Sequence, residues 1–158
     1  MKIIVTGGCG FIGSNFILNN LISNENTILN FDKLTYAGSE TNLLSIASSI
    51  NYQFLRGDIC DITSLNKVIC EFQPDAIINF AAESHVDRSI DGPMDFIQTN
   101  IVGTATLLEA SMLYWNQSKD SNFKFLHVST DEVFGSLGNN GFFTEKTPYD
   151  PSSPYSAS

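Results

Sequence analysis

Three short stretches carry residue types and spacings that could do chemistry. "STDEVFG" (129–135) sets Thr130, Asp131 and Glu132 side by side. Adjacent carboxylates in different surroundings titrate apart, so one can act as an acid and the other as a base. "PSSPYSAS" (151–158) carries Tyr155, with Ser153 and Pro154 placed as the cap and first turn of a helix. "GGCGFIG" (7–13) spaces Gly7, Gly10 and Gly13 as G-x-x-G-x-x-G. Glycines so spaced let the backbone turn tightly, approach a pyrophosphate and pack a helix on a strand. The helix N-terminus behind them then offers N–H donors and partial positive charge to phosphate.

Two carboxylates stand at further strand ends. Asp32 lies 19 residues after Gly13, near the spacing of an acid that accepts hydrogen bonds from both hydroxyls of an adenosine ribose. Such an acid repels a 2′-phosphate, which favours NAD over NADP, although the neighbouring Lys33 weakens that preference. Asp58 serves equally as a partner for an adenine amino group or as a helix cap. "AAESHVDRS" (81–89) crowds Ser84, His85, Asp87 and Arg88 behind two alanines, Ala81 and Ala82, small enough for a cofactor to lie against the backbone.

These residues need a scaffold that gathers strand ends, and the hydrophobic pattern supplies one. "KIIVT" (2–6), "TILNF" (27–31), "YQFLRGD" (52–58), "DAIINFA" (75–81) and "FKFLHVS" (123–129) read as strands. Between them lie helical stretches at 11–22, weakly at 40–48, at 62–72, and as one long helix over 93–115 with Pro93 in its first turn. In the first, Phe11, Ile12, Phe16, Ile17, Leu21 and Ile22 recur near the 3.6-residue period. Residues 130–154 read as loop. Strand–helix alternation with near-continuous apolar strands predicts an α/β fold, a doubly wound parallel sheet of Rossmann-like type, whose ligands bind at the C-terminal strand ends.

Composition narrows the partners. The chain has 158 residues, 42 % apolar and 16 % charged, with a net charge of −9. That suits one globular domain and disfavours nucleic acid or anionic membrane as a partner. Cys9, Cys60 and Cys70 are odd in number and lack metal spacing. They are expected to be reduced, buried thiols of a cytoplasmic protein, with no metal site. The N-terminal apolar run is too short for a signal peptide or a membrane span, so the Asn116-Gln-Ser sequon is read as chance.

The G-x-x-G-x-x-G spacing is similar to that of the extended short-chain dehydrogenase/reductase superfamily. With "TYAG" (35–38), "AAESHVDRS", "TNIVGT" (99–104), "STDEVFG" and "PSSPYSAS", the whole chain resembles the dTDP-glucose 4,6-dehydratase family. The resemblance implies an NAD-dependent lyase. A tyrosine takes the proton of the sugar O4–H as C4 gives hydride to NAD, water leaves across C5 and C6, and hydride returns to C6. Carried over, Tyr155 is the oxidation base, Glu132 the C5 base and Asp131 the acid, while Thr130 binds the sugar O4. Gly7, Gly10, Phe11, Ile12, Gly13, Asp32, Lys33, Leu34, Thr35, Asp58, Ile59, Ala81, Ala82, Ser84 and Thr99 would hold NAD. Ser84 would also touch the substrate, dTDP-glucose. Elimination needs a protonated acid and a free base, which an epimerase does not; Asp131-Glu132 separates the two.

Departures from the family pattern are Cys9, where alanine is common, and Phe134, where tyrosine is common. A tyrosine titrates near 10 and needs a cation to lower it. The family's Tyr-x-x-x-Lys places that lysine one position beyond Ser158. The resemblance therefore implies an NAD-binding Rossmann-like domain over 1–158, truncated at the start of this helix, with the substrate domain absent and without full activity by itself. In the family a homodimer is built on helix 93–115 and the helix begun at Tyr155; this chain keeps the first of them, so exposed apolar surface and weak or altered association are expected. A non-catalytic NAD-binding module and another sugar-nucleotide dehydratase or epimerase are the competing readings.

Overall fold

β1 (Lys2–Thr6) is a run of apolar residues with no polar face to offer solvent, and it lies at the centre of a sheet covered on both sides. Ile4 and Val5 are 1 % and 0 % exposed. The structure is a computed structural model that describes residues 1–23, 26–118 and 121–158. Four strands join β1: β2 (Thr27–Asp32), β3 (Tyr52–Arg56), β4 (Ala76–Asn79) and β5 (Lys124–His127). All pairs are parallel and the order is β3-β2-β1-β4-β5. The chain winds outward from β1 to β3, then returns to the other side of β1 for β4. A crevice must therefore open between β1 and β4 at their C-terminal ends. The fold is the Rossmann-like parallel sheet that the strand–helix alternation predicts.

Alternation along the strands feeds two cores. Ile4, Leu29 and Ile77 face α2 (Ile62–Phe72) and α5 (Thr104–Ser118), meeting Leu65, Ile69, Leu107 and Ala110. Ile3, Val5, Ile28 and Ile78 face the other way, onto Ile17 of α1 (Phe11–Ser23) and Leu43 of a 3₁₀ segment, Glu40–Ile46. Each such side chain contributes about 1.5–3 kcal/mol by leaving water. The helix at 62–72 forms as its pattern predicts. Asp61 caps it by accepting from the Thr63 and Ser64 N–H groups, and Gln73 ends it in a left-handed conformation, φ 51°.

Five expectations need correction. The long helix is not continuous: α4 (Pro93–Phe96) passes into a π-helical segment, Ile97–Gly103, before α5. The segment passes close to the loop after β3, for a Cβ at Gly103 would lie 2.7 Å from the Ile59 side chain. A π turn absorbs the extra residue without ending the helix. A helix absent from the sequence reading, α3 (Val86–Asp91), precedes it; its charged residues leave no apolar stripe to read. The strands stop early, β3 at Arg56, β4 at Asn79 and β5 at His127, and the residues that peel away are those that line the crevice. The thiols are not all buried: Cys9 is, Cys60 partly, and Cys70 is exposed. Within 130–154, residues Asp131–Phe134 form a 3₁₀ turn.

Candidate functional site

The turn after β1 is set by Gly7, whose φ of 70° disfavours any side chain. A Cβ there would lie 2.5 Å from the Ala81 nitrogen, so the turn runs directly against the backbone leaving β4. Gly10 donates its N–H to the Gly7 carbonyl at 3.2 Å, and a Cβ at Gly13 would overlap that same carbonyl. The three glycines thus fold the loop on itself beneath the start of α1. There Phe11 and Ile12 are 81 % and 61 % exposed. Both follow Gly10 at the start of α1, and neither they nor Gly13 lines a cavity.

Asp32 locks this loop to the next. Its Oδ2 accepts from the Cys9 N–H and its Oδ1 from the Leu34 N–H, both at 2.8 Å. Each oxygen keeps lone-pair capacity for a second donor such as a hydroxyl. The second bond helps hold Leu34 at φ 57°, a conformation a branched side chain avoids. Burial pushes the Cys9 thiol up to about 11 against the hydrogen bond from Asn30, and the charge of Asp32 adds to the rise.

Lys33 Nζ lies 2.7 Å from Asp58 Oδ2. The hydrogen bond from Lys33 to Asp58 raises the lysine's pKa despite partial burial. Burial alone would raise that of Asp58. The Lys33 hydrogen bond and the Cys60 backbone N–H outweigh it and leave the carboxyl below its usual range. Asp58 is not the helix cap, since Asp61 fills that place. The Lys33 ammonium, already committed to Asp58, is a poor receptor for a 2′-phosphate.

Gly7, Gly10, Asp32, Lys33, Thr35, Asp58, Ile59, Ala81, Ala82 and Thr99 all line one narrow cavity of about 90 Å³. A second cavity, about 380 Å³, is lined by Thr130, Tyr155, His127, Ser129 and Asn100 among others. Ala81 and Ala82 line both, so the two form one groove over the switch point. A glycine cradle, a carboxylate with spare lone pairs and a groove floored by two alanines fit an extended dinucleotide. No group of His, Cys, Asp and Glu among the described residues could hold a metal ion.

Tyr155 sits in α6 (Pro154–Ala157), a single turn. Ser153 Oγ accepts from the Ser156 N–H at 3.0 Å and Ser156 Oγ accepts from the Ser153 N–H at 2.9 Å, a reciprocal capping box. The Tyr155 ring meets Phe96 edge-on, centroids 6.3 Å apart. Thr130 caps the 3₁₀ turn by accepting from the Glu132 N–H at 3.3 Å, which leaves its own hydroxyl proton to donate elsewhere. Asp131 and Glu132 follow it, exposed and outside the cavity wall. Ser84 is exposed and Leu34 half-buried; neither lines a cavity.

Sequence reading missed the polar frame beneath the groove. Asn79, 0 % exposed on β4, accepts from Thr6 Oγ1 at 2.5 Å and from the Ala81 N–H at 3.1 Å. Its amide nitrogen reaches His127 Nδ1 at 3.1 Å. Asn100 bonds both the N–H and the C=O of Glu83 at 2.9 Å and also reaches Ser158 Oγ. The available signal was a lone amide within an apolar strand, "AIIN", and another within the apolar run of the long helix.

The family model described as GDP-mannose 4,6 dehydratase matches residues 4–158. The chain is 56 % identical to a probable dTDP-glucose 4,6-dehydratase from Sinorhizobium fredii, over 100 % of this chain and 46 % of the relative. It superposes with TM-score 0.87 and 47 % identity on the Bacillus anthracis dTDP-glucose 4,6-dehydratase in complex with NAD, over 99 % of this chain and 46 % of that one. The Streptomyces venezuelae enzyme DesIV, a dTDP-glucose 4,6-dehydratase with NAD and TYD bound, gives TM-score 0.90 and 41 % identity, over 99 % and 48 %. The chain spans about half the length of the curated relatives it matches.

Proposed function

The chain belongs to the GDP-mannose 4,6 dehydratase family, and from that premise we propose that residues 1–158 form an NAD-binding domain serving dTDP-glucose 4,6-dehydration. The observation that carries the reading is the groove that Ala81 and Ala82 make continuous from Asp32 to Tyr155. The adenosine end meets Asp32 and Asp58, with Ile59, Thr35 and Thr99 along the walls. Gly7, Gly10 and Gly13 would hold the pyrophosphate, with Phe11 and Ile12 following them at the start of α1. Leu34 and Ser84 flank the groove. NAD, when bound, supplies the hydride acceptor for sugar C4 and the hydride for C6.

The chain's own residues handle protons. Tyr155 takes the proton of the sugar O4–H, and Thr130 donates its free hydroxyl proton to O4 and fixes its position. Once C4 is a ketone, the C5 proton is acidic and Glu132 removes it. Asp131 protonates the C6 hydroxyl, which leaves as water. Base and acid stand on adjacent residues because the proton is lost from one carbon and the hydroxyl from the next. The dTDP and glucose preferences come from the relatives, at 56 % and 47 % identity.

A homodimer is the corresponding partner. Met94, Ile97, Ile101, Leu108, Met112 and Trp115, spread over α4, the π segment and α5, are all at least 38 % exposed. Exposed apolar residues over that length favour a second copy of the chain over water. Light scattering should show a dimer that Ile101→Lys dissociates.

Calorimetric titration of the chain with NAD tests the site: binding is expected, with NADP weaker, and no NAD binding overturns it. Incubation with dTDP-glucose and NAD, read as the alkali-sensitive absorbance of a 4-keto sugar, tests the lyase. NAD binding without that product sustains the second reading, a non-catalytic NAD-binding module.

A further inference from the structure

Two loops leave the sheet on opposite sides of β1. One follows β2 and carries Tyr36; the other follows β4 and carries Glu83. The Tyr36 hydroxyl donates to Glu83 Oε2 at 3.1 Å, across 47 residues of sequence. The Arg88 guanidinium carbon, from α3, lies 3.7 Å from the centroid of the Tyr36 ring. Burial and then the Glu83 hydrogen bond raise the Tyr36 pKa, so the phenol keeps the proton it donates.

The bridge joins two walls of one cavity. Thr35 and Ala37, on either side of Tyr36, line the narrow cavity from one side, and Glu83 lines it from the other. Gly7 and Gly10 line the same cavity between them. Both supports are fixed through the backbone. Asn100 clamps the Glu83 N–H and C=O, and the Ser39 N–H donates to the Cys9 carbonyl at 3.0 Å. The bridging side chains are not core: Tyr36 is 57 % exposed and Arg88 is exposed. They can part without disturbing the packed layers. A surface hydrogen bond adds little to folding, because water replaces it. Spanning the mouth of a ligand groove, the same bond resists passage.

We propose that Tyr36, Glu83 and Arg88 form a clasp over the dinucleotide groove and set the rate at which the cofactor leaves. This rests on the reading of the groove as an NAD site. NAD must pass beneath the bridge to lie along both cavities, so the clasp has to open for release. Adenosine alone, which would meet Asp32 and Asp58 in the same cavity, is the control for a distorted pocket.

The test is NAD dissociation from the full chain, followed by stopped-flow displacement with a fluorescent etheno-NAD probe. Tyr36→Ala, which loses both contacts, is expected to speed release about tenfold. Tyr36→Phe, which keeps the ring under Arg88, and Arg88→Ala, which keeps the hydrogen bond, are each expected to give roughly threefold. Adenosine affinity and the melting temperature of the ligand-free chain should stay at their unmutated values. Release from Tyr36→Ala at the unmutated rate overturns the clasp, and so does an equal weakening of adenosine and NAD, which marks a distorted adenosine pocket instead. If the unmutated chain binds no NAD, the reading of the groove fails first and the clasp falls with it; NAD binding with unchanged release removes the clasp alone.

Discussion

The β1–β2–β3 side of the crevice and the β4–β5 side are held by different means. On the first, backbone donors and carboxylates close every turn: Asp32 pins two loops, Lys33 pairs with Asp58, and Gly7 wedges its turn against Ala81. On the second, β5 is a sheet edge with Leu126 53 % exposed, and Asp131 and Glu132 stand in solvent. Beyond the strand pairing of β4 with β1 and β5, the loop after β4 is braced by polar side chains, Asn79 and Asn100 foremost. The proposed cofactor site is therefore preorganised by the chain's own contacts, whereas the residues proposed for proton transfer, Asp131 and Glu132, stand on an exposed rim.

Gly7→Val should break the contrast most severely. A β-branched residue at φ 70° meets both backbone strain and the Ala81 nitrogen, so a loss of about 3–5 kcal/mol is expected in urea unfolding, with NAD binding abolished. Next is Asp32→Ala, which strands the Cys9 and Leu34 N–H groups. It should cost roughly 3 kcal/mol and lower NAD affinity about a hundredfold by calorimetry, far more than it changes β5. Asn79→Ala attacks the other side. A loss of about 1–3 kcal/mol is expected, and hydrogen exchange should rise at β5 before it rises at β2.

Asp58→Asn sharpens the comparison gently. The pair is largely exposed, so its stability effect should stay below about 1 kcal/mol, but freeing Lys33 should narrow the preference for NAD over NADP. The signs follow from the shifts. The Asp58 carboxyl lies lower in the folded chain, so its contribution is present above the unfolded carboxylate value and fades as pH falls through the folded one. Lys33 lies higher, so its share is present below the unfolded lysine value and is lost as pH rises through the folded one. Urea midpoints between about pH 5 and 9 should therefore show no change from this pair. The smallest response belongs to Cys9. Buried, and with its thiol pushed up to about 11, it should stay unmodified by a thiol reagent at pH 8 while exposed Cys70 reacts.

What the sequence revealed divides along the same line. β1 was legible because burial on both faces leaves a near-continuous apolar run, and α2 because burial of one face imposes a 3.6-residue period. Asp32 was legible as a candidate because it closes a strand at the distance from the glycines expected of a ribose-binding acid. α3 was not, since "VDRSID" presents no stripe, nor was the π segment, which lies against Ile59 some forty residues earlier. Asp58 and Asp61 could not be told apart as caps, because both precede the helix by a few residues and only geometry chooses. The Asn79 frame and the Tyr36 bridge depend on side chains that only the sheet brings together.

The capping box at Ser153 and Ser156 has a consequence for the order of assembly. Its partners are three residues apart, so the turn carrying Tyr155 can form on a submicrosecond timescale without waiting for the sheet. One turn alone does not last, since nucleation is unfavourable. It persists once Phe96 and Asn100 arrive, and those depend on contacts of long range in sequence. The tyrosine's local conformation is thus sampled early and captured late, and Phe96→Ala should lower its lifetime after refolding without slowing formation of the sheet.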